Sequence, residues 1–99
     1  MLTQSQVMDL LRPLKAELAE RYRVRELALF GSLARQEQGP TSDVDLLVDF
    51  ERPVGLFRFV RLRDHLSRRL GAPVDLVTVA ALKPGIRERV LETVQYVGN

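Results

Sequence analysis

The sequence predicts an α/β domain in which helices face a three-stranded mixed sheet, and three observations predict it. Apolar residues recur at helical spacing in three places: Val7, Leu10, Leu11, Leu14 and Leu18, then Leu56, Phe59, Leu62, Leu66 and Leu70, then Ile86, Val90, Leu91 and Val94. Between them lie shorter runs with strand character, Val24 to Phe30, Asp43 to Phe50 and Val74 to Val79. Glycine and proline punctuate the junctions, and helices alternating with strands are the layering of an α/β fold.

Each element has its own reason. The first helix runs from about Thr3 to Tyr22, and Pro13 inside it must kink or split it, because proline removes a hydrogen bond and clashes with the preceding turn. Val24 to Phe30 is the first strand, and its end, Leu27-Ala28-Leu29-Phe30, reads as buried. Gly31 permits a tight bend, and Ser32 caps a short helix through Arg35. Gln38-Gly39-Pro40-Thr41-Ser42 is a turn cluster leading into the second strand, Asp43 to Phe50, which Arg52-Pro53 breaks. A long helix then covers about Gly55 to Leu70 with Leu56, Phe59, Leu62, Leu66 and Leu70 on its apolar stripe. Gly71 ends that helix, Pro73 opens the third strand, and the last helix follows Lys83-Pro84. No repeat or low-complexity segment interrupts the pattern, and residues 1–99 are expected to form a single domain.

Composition narrows the class. Hydrophobic residues at 45% and charged residues at 28% are ordinary for a soluble globular chain. No apolar run approaches the ~20 residues of a membrane helix, and Met1-Leu2-Thr3-Gln4 does not begin a signal peptide. A chain without cysteine has neither disulfides nor thiolate metal sites, which suits a cytoplasmic protein with no membrane association. The pI of 9.5 overstates the positive field: thirteen of the fifteen basic residues are arginine, and the net charge is only +2. Nucleic-acid binding is compatible with these numbers but not indicated by them.

The chemistry concentrates between Gly31 and Asp45. Strand side chains alternate, so Asp43 and Asp45 point one way, while Val44, Leu46, Val48 and Phe50 point the other, into a core. Two carboxylates that close repel unless something positive lies between them. A hard divalent cation is the usual remedy, and Mg2+ is typically held by one or two carboxylates plus substrate phosphates. Upstream, the Gly31-Ser32 turn after a strand offers unpaired amides to an anion. A phosphate cradle beside a metal site describes a nucleotide site. Asp75, in the otherwise apolar Val74-Asp75-Leu76-Val77, is the candidate third carboxylate, since a charge there is costly without a partner. Its plainer role is an edge-strand charge that discourages aggregation. Asp49 shares the parity of Asp43 and Asp45 but lies ~13 Å beyond Asp45 at strand rise, so it and Glu51 read as solvated strand-end charges.

Gly31-Ser32-Leu33-Ala34-Arg35 and Ser42-Asp43-Val44-Asp45-Leu46-Leu47-Val48, together with their spacing, resemble the polymerase-beta-type nucleotidyltransferase superfamily. The closer resemblance is to its smallest branch, the minimal nucleotidyltransferases that pair with HEPN-domain proteins as toxin–antitoxin modules, and it runs from about Leu10 to Tyr96. Gln36 departs from it, since many relatives carry glycine after the arginine. The resemblance implies metal carboxylates at Asp43, Asp45 and Asp75, and nucleotide contacts at Gly31 and Ser32. It further implies ATP as substrate with two Mg2+ ions, and a tyrosine of a HEPN toxin as acceptor, leaving the ribonuclease adenylylated and silenced.

Other residues are less committed. Arg35, one helical turn after Ser32, either helps neutralise phosphate or covers the sheet. Arg58, Arg61, Arg63, Arg68 and Arg69 form the wet face of a helix or meet an acidic partner or RNA. His65, with no cysteine or second histidine, belongs to surface or packing, and nothing decides a role for Tyr96. Two alternatives stand beside adenylyl transfer to a toxin. One is an antitoxin acting by binding alone, against which the intact acidic triad counts. The other is transfer to an antibiotic or sugar, for which the chain lacks an enclosing domain unless it oligomerises.

Overall fold

A computed structural model describes residues 2–34 and 43–98. Helix α1, Gln4–Leu11, starts at a capping box: Gln6 N–H donates to Thr3 Oγ1 at 3.1 Å, and Thr3 N–H donates to Gln6 Oε1 at 2.9 Å. The predicted first helix is split, as Pro13 requires. A 3-10 turn, Arg12–Leu14, separates α1 from α2, Lys15–Tyr22. Then follow β1, Val24–Phe30, a four-residue helix α3, Gly31–Ala34, and β2, Val44–Phe50. Helix α4, Leu56–Leu70, ends at Gly71, whose left-handed φ of 68° turns the chain toward β3, Val74–Thr78. Val79, expected in that strand, opens a second 3-10 turn that ends at Ala81. Helix α5, Pro84–Thr93, leads to β4, Gln95–Tyr96.

Among the described residues the sheet has four strands in the order β3-β2-β1-β4, one more than the sequence predicts. The fourth is two residues long and carries no alternation from which to read a strand; it pairs antiparallel with Ala28 and Leu29 of β1. The β1–β2 pair is antiparallel, while β2 and β3 run parallel through the α4 crossover that a parallel pair requires. The sheet is therefore mixed, as expected.

Register fixes what each face does. On one face, Leu29 pairs with Leu46, Leu27 with Val48, Val24 with Phe50 and Leu76 with Leu46. Val24 and Leu27 are an odd number of residues apart yet share this face, because the register shifts between Val24 and Glu26 and absorbs Arg25 as an extra residue. This face meets Val7, Leu11, Leu14 and Leu18 from the first helices and Leu62, Leu66 and Leu70 from α4 in one buried cluster. Val97 joins that cluster from beyond β4, its N–H donating to Leu27 C=O at 2.9 Å.

Three apolar predictions fail, for one reason, beginning with Leu10 on α1, which is 41% exposed. Leu56 is 74% exposed beside an open cavity of about 500 Å3, and α5 buries none of its residues. Ile86 is 51% exposed and Leu91 37%. Periodicity identifies a helix's apolar side but not whether a complementary surface lies opposite it. His65 is packed rather than displayed: its ring stacks on Tyr22 with centroids 5.8 Å apart, and Nε2 lies 2.9 Å from Glu17 Oε1. Asp49 is not merely solvated. Arg25 Nε and Nη2 donate to its Oδ2 at 3.1 and 2.8 Å, so the residue absorbed by the bulge answers the carboxylate on the neighbouring strand.

Candidate active site

The other face of the sheet carries the candidate chemistry at one end. Asp45 stands opposite Phe30 on β1 and opposite Asp75 on β3, so three neighbouring strands place Phe30, Asp45 and Asp75 in one row. Paired strands lie ~4.8 Å apart, which puts the two carboxylates within reach of a common ligand. The row is anchored at the strand starts, where Val44 N–H donates to Pro73 C=O at 2.9 Å. Asp43 is exposed and immediately precedes β2, two residues from Asp45.

Gly31 follows Phe30, and its position explains its identity twice. Its φ of 74° lies in the left-handed region, where an L side chain is strained. A Cβ built there would also collide with Asp45 Oδ2 and approach its Cγ to 3.0 Å. The Asp45 carboxyl thus lies against the backbone of the turn, and only glycine leaves room for it. The sequence singles out Gly31 for the bend; the close approach of Asp45 depends on strand register, which short-range spacing does not encode. The chain from Gly31 enters α3 at once, and the end of β1 and the carboxylate row lie at the same end of the sheet.

Asp45 and Asp75 are thereby brought together, with Gly31 against Asp45. Arg35 lies outside the described residues, and Ser32 is placed here only as part of α3. Among the described residues, no three His, Cys, Asp or Glu side chains close into a ready-made metal cage. The available donors are hard carboxylate oxygens, two of them in register, and Mg2+ asks for only one or two carboxylates when phosphates and waters complete its shell. The donor set therefore fits Mg2+ arriving with a phosphate-bearing substrate rather than an ion held by protein alone. Among the described residues, no helix is long and apolar enough to cross a membrane.

Comparison with known proteins bears on the fold and the family. Residues 11–97 match the family described as the nucleotidyltransferase domain. The protein adenylyltransferase MntA of Thermococcus cleftensis is 46% identical over 97 residues, covering 98% of each chain. A solved structure provisionally assigned as a minimal nucleotidyltransferase superposes with a TM-score of 0.79 at 34% identity, covering 95% of each chain. Two solved toxin–antitoxin complexes share the fold at lower identity. One, with AMP-PNP, has a TM-score of 0.72 at 21% identity, over 99% of this chain and 74% of that one. The other, a tri-AMPylated Shewanella oneidensis HEPN toxin with an MNT antitoxin, has a TM-score of 0.66 at 18% identity, over 93% and 72%. The match over most of its length and the 46% identity show that this chain belongs to the nucleotidyltransferase domain family.

Proposed function

We propose that this nucleotidyltransferase is a Mg2+-dependent protein adenylyltransferase that moves AMP from ATP to a tyrosine hydroxyl of a HEPN-type toxin, and so acts as its antitoxin. Residues 1–99 would work as one domain in the cytoplasm, where ATP and Mg2+ are at hand. The observation that carries the reading is the in-register pair Asp45–Asp75 with Gly31 packed under the Asp45 carboxyl. The 46% identity to a protein adenylyltransferase supports the acceptor class, and the fold shared with complexes holding AMP-PNP and an AMPylated HEPN toxin supports nucleotide and partner.

The chain's residues then divide the work. The turn at Gly31 and Ser32 receives the triphosphate, and Arg35 adds charge to it. Asp43, Asp45 and Asp75 would hold two Mg2+ ions against the phosphate oxygens. When bound, these ions lower the pKa of the acceptor hydroxyl and neutralise charge developing on the phosphates. Asp75, exposed on the outer strand of the row, would take the acceptor's proton. The acceptor oxygen attacks the α-phosphorus, the bond to the bridging oxygen breaks, and pyrophosphate leaves. Positioning and electrostatics supply most of the rate in such transfers.

Asp43→Asn combined with Asp45→Asn tests this reading with labelled ATP, purified partner toxin and intact mass. Wild type should add adenylyl groups to the toxin, and the double variant should add none while keeping its fold and its complex. Labelling at the wild-type rate by the double variant would show that the row is not the site. Neutralisation of the toxin without any labelling by wild type would replace the enzyme with a binding antitoxin.

A further inference from the structure

Helix α4 concentrates positive charge. It holds five arginines against one aspartate, whereas the whole chain nets only +2, so the remainder of the molecule is negative. Arg63 is satisfied by Asp64 at 3.2 Å, but among the described residues Arg58, Arg61, Arg68 and Arg69 have no ion-pair partner. Such a concentration costs self-repulsion and attracts polyanions.

The first turns of α4 turn this charge into a site. A cavity of about 430 Å3 is lined by Arg58 and Arg61 from α4, Arg21 and Tyr22 from the end of α2, and Gly55 and Phe57. Among the described residues, no acidic side chain lines it. Arg21 lies over the Tyr22 ring, its Cζ 5.7 Å from the centroid, and its contact with Glu17 is long at 3.6 Å. Phe57 is 83% exposed, a large ring standing in solvent at the rim of a cationic pocket. Gly55 presents no side chain, and nothing lies within 4 Å of where its Cβ would be. Among the described residues, none of Asp43, Asp45 and Asp75 lines the pocket, so it is separate from the carboxylate row.

We propose that this pocket and the arginine face of α4 bind single-stranded nucleic acid, with a base stacked on Phe57 and backbone phosphates on Arg21, Arg58 and Arg61. The pairing of an exposed ring with the unpaired guanidiniums of Arg58 and Arg61 is what this ligand class needs: a stacking platform that accepts any base, beside charges that track a phosphate backbone. An acidic protein segment would use the same charges but would gain little from a lone ring held out in water.

Fluorescence anisotropy of the full chain with a 5′-labelled 20-mer oligouridylate, over 50–300 mM KCl, tests this, with a 20-residue polyglutamate peptide as charge-matched competitor. The oligonucleotide should bind with affinity falling steeply in salt and should resist displacement by polyglutamate. Phe57→Ala should weaken binding about 5- to 100-fold with the salt slope unchanged, since it removes stacking and no charge. Arg58→Ala with Arg61→Ala should lower the slope by about 1.4, the single-strand value for two phosphates. Both variants alter exposed side chains, so adenylyl transfer should persist and reports that the chain is folded. No binding at 50 mM KCl overturns the proposal. So does binding that Phe57→Ala leaves intact, or that polyglutamate displaces at equal charge, which would assign the face to an acidic protein.

Discussion

The two faces of one sheet differ in kind, and β2 shows it residue by residue. Val44, Leu46 and Val48 are at most 1% exposed on the face roofed by α1, α2 and α4. Asp45 and Asp49 alternate with them on the other face, with Leu47 between, and α5, which borders Leu47 and Asp49 there, buries nothing of its own. The first face is saturated with apolar contact, so it holds the fold. Among the described residues, only Ala28 and Leu47 are buried on the second, and the proposed site lies at its carboxylate end. A strand can serve both purposes because its period of two keeps the demands on separate sides.

The largest effect that would sharpen this division falls on the second face. Asp75→Asn should lower adenylyl transfer at least about 1000-fold, roughly 4 kcal/mol of transition-state stabilisation. Thermal stability should hold or rise, because neutralising one of two adjacent carboxylates relieves repulsion. A parallel loss of melting temperature and activity would mean that the row is structural and the two faces are not divided.

The core face predicts the converse. Leu46→Ala, at a fully buried position adjacent in sequence to Asp45, should cost about 3 kcal/mol in denaturant unfolding, within the usual 2–5 for buried leucine. Transfer per folded molecule should change little. Activity lost in proportion to Asp75→Asn, at unchanged stability, would break the comparison from the other side.

Much of this division is legible in the amino-acid sequence, and the limits have physical causes. Alternation around Asp43-Val44-Asp45-Leu46 separates the faces of β2, because that pattern is local and each side is chemically distinct. Pro13 foretells the break between α1 and α2 through its missing N–H. The partnership of Asp45 with Asp75, the fit of Gly31 beneath Asp45 and the answer of Arg25 to Asp49 all depend on register between strands distant in sequence. Spacing within one segment cannot carry that information. The exposure of α5 is illegible for a related reason. Ile86, Val90, Leu91 and Val94 show helical spacing like that of α4, yet burial depends on what the sheet offers opposite, and there it offers little beyond Ala28 and Leu47.

A smaller effect belongs to the junction of the two faces. Gly31→Ala should cost about 1–2 kcal/mol of stability from the left-handed backbone alone. Its added methyl would also displace the Asp45 carboxyl, so transfer should fall further than stability accounts for. Gly71→Ala, at the other left-handed glycine and with nothing within 4 Å of its added methyl, controls for backbone strain alone. Equal losses of activity in both variants would remove the special place given to the Asp45 contact.

The smallest effect tests the open side directly. Leu91→Ala on α5 should cost less than about 1 kcal/mol in denaturant unfolding, against about 3 for Leu46→Ala, although both delete the same atoms. Leu91 is 37% exposed and borders a cavity of about 260 Å3 over Ala28 and Leu47, so a good part of its surface already meets water. Truncating it removes less buried area and opens no closed void. The measurement is most telling when repeated with the proposed partner toxin bound. If α5 gains its missing cover in the complex, Leu91→Ala should weaken binding while leaving the free chain's stability nearly unchanged. A cost near 3 kcal/mol in the free chain would show instead that α5 is as firmly packed as α4, and that the second face is no more open than the first.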